Sequence, residues 1–167
     1  MLNNYTTPRL FLQELSIHDA EFILELVNMP EWKKFIGDRN INNTEDAKKY
    51  IQKIVDNPAF HYWVVKITDR QTPIGIITFI KRDSLDHYDI GFSFLSEYTG
   101  RGYAYEASEI VLRDLLKDPA YSRILAITMK ENVHSIKLLE KLGFLFENQV
   151  QDANEVLELY GISANEF

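Results

Sequence analysis

Apolar side chains recur along this chain with two different periods, and the points where the period changes outline its elements. Residues 9–15 read as a first strand. Ser16 then opens a helix, because Asp19 stands in a capping-box relation to it and Ala20, Ile23, Leu24 and Val27 follow at helical spacing. A second amphipathic helix is capped by Asn43 or Thr44 and carries Ala47, Tyr50, Ile51, Ile54 and Val55 on one stripe. Between the two helices, residues 32–39 form an aromatic-rich connection that is too polar for a core strand and is a candidate pocket wall.

From His61 onward the pattern is β-rich. Residues 61–68 and 74–80 form a hairpin around the turn cluster 69–73, and residues 88–95 make a further strand that runs into the polar segment 96–102. A helix starting at Tyr103 buries Ala104, Ala107, Val111 and Leu115, and a strand follows over residues 123–129. A shorter helix through Ile136, Leu139 and Leu142 ends at Gly143, a natural C-cap. Two more strands, 144–150 and 155–161, close the chain. The order β-α-α-β-β-β-α-β-α-β-β predicts an α/β fold with a mixed rather than purely parallel sheet.

With 167 residues, no internal repeat and no flexible linker, the expectation is one domain over residues 1–167, and 46% hydrophobic content supplies its core. The 25 acidic and 18 basic side chains leave a formal charge of −7. That balance speaks against nucleic acid or an anionic membrane as the main partner, since either requires a basic face. The chain contains no cysteine, which removes disulfides, thiolate metal sites and a cysteine nucleophile. His18, His61, His87 and His134 lack metal-ligand spacing, so no metal is expected. The first residues lack the basic-then-apolar pattern of a signal peptide, and no run approaches the roughly 20 apolar residues that span a bilayer. A cytoplasmic protein is expected.

The segment with most chemical content is Gly100-Arg101-Gly102, directly before the helix at Tyr103. Glycines there let backbone approach a ligand closely, and the free amides and dipole of a helix start attract phosphate. A plain tight turn accounts for two glycines equally well. The dinucleotide and nucleoside-triphosphate fingerprints both lack their confirming residues here, which weakens a nucleotide-binding alternative.

Thr99-Gly100-Arg101-Gly102-Tyr103-Ala104 resembles the acetyl-CoA-binding Gln/Arg-x-x-Gly-x-Gly/Ala loop of the GNAT superfamily of N-acetyltransferases, matching at Gly102 and Ala104 and departing at Thr99. The segment from Asn132 through Ser135, Leu138, Leu139 and Leu142 to Gly143-Phe144 is similar to a helix and strand start of the ribosomal-protein alanine N-acetyltransferase branch. Thr7-Pro8-Arg9-Leu10 also resembles the first strand of that branch. The resemblance implies a mostly antiparallel sheet flanked by helices, whose central strands splay to form a coenzyme A cleft. It further implies that backbone near Phe92 and Phe94 pairs with pantetheine, and that the amides of Thr99, Gly100, Arg101, Gly102, Tyr103 and Ala104 hold the pyrophosphate.

Several residues keep two roles open at this level. Arg101 either contacts phosphate or is a solvated loop side chain. Asn132 matches the family asparagine that bonds pantetheine, and can also cap the following helix. Many superfamily members protonate the departing thiolate with a tyrosine at the position held here by Leu139, so that acid is missing. Ser135 matches a serine proposed to meet the sulfur, and is otherwise a helix cap. Asp89 is either a base that takes the amine proton through a water or a strand-end carboxylate in solvent. Glu97, Asp86 and His87 are weaker candidates for that task.

For the acceptor, the resemblance places Trp32, Phe35, Ile36, Asp38 and Arg39 on the cleft wall; packing is the alternative for Trp32 and Phe35, and pairing with Arg39 or a lysine for Asp38. The implied activity is acetyl transfer from acetyl-CoA to a primary amine, on a protein N-terminus or a small molecule, in a ternary complex. A domain that binds acyl-CoA without turnover is the competing expectation. Relatives that dimerise through their last strands leave monomer and homodimer both open.

Overall fold

The computed structural model describes residues 2–167. Its framework is an eight-stranded sheet: β1 (Tyr5–Thr6), β2 (Leu10–Glu14), β3 (Phe60–Ile67), β4 (Thr72–Ile80), β5 (Asp89–Phe94), β6 (Arg123–Thr128), β7 (Leu145–Asp152) and β8 (Glu155–Ser163), in the order β1-β2-β3-β4-β5-β6-β8-β7. Every neighbouring pair is antiparallel except β5 and β6. That parallel pair meets only at Asp89 and Leu125, with the Leu125 amide donating to the Tyr88 carbonyl at 2.9 Å. Beyond this junction the strands separate, so the edge of β5 facing β6 carries unpaired backbone groups. The expected α/β fold with splayed central strands is what the chain forms.

Helices cover both faces of the sheet: α1 (Ala20–Val27), α2 (Pro30–Phe35), α3 (Thr44–Val55), α4 (Tyr103–Leu115) and α5 (Val133–Leu142). Burial on two faces explains why central strands read as continuous apolar runs rather than alternations. In β4, Ile74 and Ile77 join a core with Val111, Leu112, Leu139 and Phe144, whereas Ile76 packs with Ile23, Leu26, Ile51 and Trp32 on the opposite face.

The local signals at element ends act as anticipated. Ser16 and Asp19 form a reciprocal capping box, although the turn they start is 3-10 before α1 begins. Asn43, not Thr44, caps α3 by accepting from the Asp46 amide at 2.8 Å. Gly143 ends α5 in the left-handed region at φ 99°.

Four expectations need correction. Residues 32–39 are not simply a connection, because Pro30 nucleates α2 at its first turn, where a missing amide costs nothing. The chain also pairs Tyr5–Thr6 with β2, an element too short to register as a period. Pro73 lies inside β4 instead of the turn; it faces Lys66 where the β3–β4 register shifts, and the irregularity accommodates a residue with no amide to donate. Val55 is 53% exposed, because it lies off the buried face that its neighbour Ile54 shares with Val64 and Ile76 of the sheet.

Candidate functional site

The site grows from the β5–β6 gap. On one side, β5 runs through Leu95 and a short 3-10 turn into Gly100-Arg101-Gly102 and then α4. Gly100 and Gly102 have φ of 75° and 81°, conformations that cost a residue with a Cβ about 1–2 kcal/mol. Gly102 is the N-cap of α4 and supplies no side-chain cap. The amides from Gly100 to Tyr105 make no backbone hydrogen bond among the described residues, so they are oriented, unsatisfied donors at the positive end of a helix. Space beside Gly100 is open to 4 Å around a hypothetical Cβ. The donor set and the room suit a pyrophosphate.

This loop is held from outside by the β1–β2 turn. Glu106, in the first turn of α4, accepts from the Thr7 hydroxyl at 2.5 Å, from the Arg9 amide at 3.2 Å and from Arg9 Nε at 2.6 Å. Arg9 also donates to the Arg101 carbonyl at 2.9 Å and lies over the Tyr103 ring, 4.5 Å from its centroid. Burial would raise the Glu106 pKa, but the hydrogen bonds from Thr7 and Arg9 outweigh it and hold the carboxyl below the usual carboxylate range. Neither Arg9 nor Glu106 stood out in the sequence as a site residue. Their separation along the chain hides the pairing.

Two connected chambers occupy the gap. The outer one is lined by Thr99, Gly100, Gly102, Tyr103 and Ala104; the inner one by Tyr50, Tyr62, Arg82 and Asp89. Phe92, Ser93, Asn132 and Ser135 border both, as do Trp32, Phe35 and Ile36 of the α2 region. Phe94 lines the outer chamber alone, and Arg39 the inner chamber alone.

Asp89 sits at the closed end of the gap, 2% exposed rather than in solvent. Arg82 Nε donates to its Oδ2 at 2.7 Å. Burial pushes the Asp89 carboxyl above the usual carboxylate range, although the Arg82 charge and hydrogen bond pull the other way. Tyr62 is held well above the ordinary phenol value by burial and by the nearby Tyr50 hydroxyl, so it is a donor at all ordinary pH. Arg82, Tyr50 and Tyr62 line the inner chamber although no sequence motif marked them. Only Tyr50 left a trace, as a polar-tipped member of an otherwise apolar helix stripe.

Asn132 caps α5, its Oδ1 accepting from the Ser135 amide at 3.3 Å, while its side-chain amide group has no protein partner among the described residues. The Ser135 hydroxyl is likewise without a hydrogen bond there, and faces space that belongs to both chambers. Leu139 is 1% exposed and closes the inner chamber with an apolar surface.

The remaining sequence candidates lie elsewhere. Asp38 bends its own loop by accepting from the Asn40 amide at 2.8 Å and borders neither chamber. The Arg101 guanidinium lies 5.7 Å from the Tyr98 ring centroid and also lines neither chamber. Glu97, Asp86 and His87 are outside both linings. Among the described residues no three His, Asp or Glu side chains cluster as a metal site, and no helix is long and apolar enough to cross a membrane.

A mixed sheet that splays beside a glycine-started helix sets an anion-attracting loop next to an open gap. The model of the GNAT acetyltransferase domain matches residues 9–145, and the chain belongs to this family. It is 29% identical over 159 residues to the uncharacterized N-acetyltransferase YnaD of Bacillus subtilis, covering 93% of this chain and 92% of that one. A GNAT-family acetyltransferase structure from Bacillus anthracis superposes with a TM-score of 0.82 at 25% identity, covering 98% of this chain and 100% of that one. The ribosomal L7/L12 alpha-N-protein acetyltransferase RimL, solved in complex with coenzyme A, shares the fold with a TM-score of 0.84 at 12% identity, over 96% and 98% of the two chains.

Proposed function

We propose that this protein is an acetyl-CoA-dependent N-acetyltransferase that moves the acetyl group directly to a primary amine bound in the inner chamber. The observation that carries this is the junction at Phe92, Ser93, Asn132 and Ser135, where the glycine loop with its free amides on one side communicates with a buried carboxylate on the other. Acetyl-CoA, when bound, supplies a thioester whose carbonyl carbon accepts the amine and whose C–S bond breaks. The amides from Gly100 to Ala104 hold its pyrophosphate, with Gly100 and Gly102 permitting close approach, whereas the Thr99 amide expected to join them already donates to the Ser96 carbonyl at 3.3 Å. The open edge of β5 near Phe92 and Phe94, with the free side-chain amide of Asn132, aligns the pantetheine arm.

Asp89 accepts the proton lost by the attacking amine, through a water, and its raised pKa suits a base better than an ordinary carboxylate would. The Ser135 hydroxyl donates a hydrogen bond to the departing thiolate, which takes its proton from solvent afterwards. Trp32, Phe35 and Arg39 wall the acceptor side. A thiol-release assay over a panel of amines and peptide N-termini tests the proposal, with turnover expected for at least one class. A purified protein that does not bind acetyl-CoA overturns it.

Buried Leu139 favours one second reading, a domain that binds acyl-CoA without turning it over, because this side chain has no proton for the leaving group. Binding without thiol release, unchanged in Asp89→Ala and Ser135→Ala, would support that instead.

A further inference from the structure

Three side chains with formal charge line the inner chamber: Arg39, Arg82 and Asp89. Asp89 is committed to Arg82, whose Nε and Nη2 both point to its carboxylate, at 2.7 and 3.5 Å. Arg39 has no ion pair or side-chain hydrogen bond among the described residues. Asp152 acts on the Arg82–Asp89 pair through space but does not line the chamber, and Lys81 adds positive charge near Asp89. The chamber wall therefore carries an uncompensated guanidinium, although the whole chain has a charge of −7.

The neutral groups reinforce this bias. Tyr50 and Tyr62 line the same wall, and the Tyr62 hydroxyl keeps its proton beside that of Tyr50. A protonated amine meets no carboxylate here that is free of Arg82, whereas an anion meets a free guanidinium fork and the Tyr50 hydroxyl. We propose that the acceptor carries a carboxylate in addition to its reacting amine, and that Arg39 is the residue that selects it. This rests on the amine-acceptor function proposed above. A polyamine, with further positive charge in place of the carboxylate, is disfavoured by the same wall.

The inference is tested by binding to coenzyme A-saturated protein, which requires no turnover. The probes are β-alanine, 4-aminobutyrate and glycylglycine, each paired with its carboxamide, with spermidine as the cationic comparison. At least one acid is expected to bind about tenfold or more tightly than its amide, the scale of one charge-assisted hydrogen bond. Arg39→Gln should reduce that ratio at least about fivefold, and Arg39→Lys should restore part of it, because Lys keeps the charge but loses the fork. Arg39 is exposed, so these variants are expected to fold.

Thiol release with the same probes then separates the two proposals. A carboxylate preference in binding with no turnover would remove the transferase proposal and leave this one standing. If no acid binds better than its amide, or the preference survives unchanged in Arg39→Gln, the selection by Arg39 is wrong even in an active enzyme.

Discussion

Asp89 and Ser135 divide the proposed chemistry between them, and each has a distinct signature. A base must be deprotonated to work, so with the Asp89 pKa raised by burial, kcat/KM should fall as pH drops through a range above that of ordinary aspartates. Asp89→Asn should lower kcat by about 100-fold or more and abolish that acid limb, measured as a pH–rate profile. Ser135→Ala removes one hydrogen bond to the leaving group, with an expected loss of about tenfold in kcat and no change in acetyl-CoA affinity. The motif around Asn132 marked Ser135, and its hydroxyl does open on the gap. For Asp89 the chain suggested a base but could not show its burial, which depends on Arg82 arriving from the loop before β5.

At the level of elements, the start of α4 depends on a strand far away in sequence. Glu106 is more acidic in the fold than in the unfolded chain, so its contribution to stability is complete above the unfolded value near 4.3 and is lost as pH falls through the lower folded value. Glu106→Gln should therefore cost about 1 kcal/mol at neutral pH, and the gap to the parent should close in acid, measured by denaturant midpoints at pH 7 and pH 3. Gly102→Val tests the loop itself. A Cβ there meets Arg9 Nη2 at 3.3 Å as well as an unfavourable φ, so acetyl-CoA affinity should drop about tenfold or more, read by calorimetry. The glycines and the helix start are visible in sequence because they are local. The Thr7–Arg9–Glu106 brace is not, since its partners are brought together only by the β1–β2 turn lying across α4.

For the molecule as a whole, stability resides in the sheet sandwiched between two helical layers. Trp63, 1% exposed and anchored through Nε1 to the Asn3 carbonyl at 2.9 Å, contributes to the core on the α4–α5 side. Trp63→Ala should cost about 3–5 kcal/mol by urea unfolding. The order of the longer elements, the caps at Ser16 and Gly143 and the glycine loop before α4 were determined by the sequence alone, because hydrophobic period, capping and glycine conformation act over a few residues. Which strands separate, which carboxylate is buried against which arginine, and which cations remain unpaired were decided only by the tertiary structure. Those properties depend on groups from distant elements converging on one gap, and such convergence leaves no periodic trace in the chain.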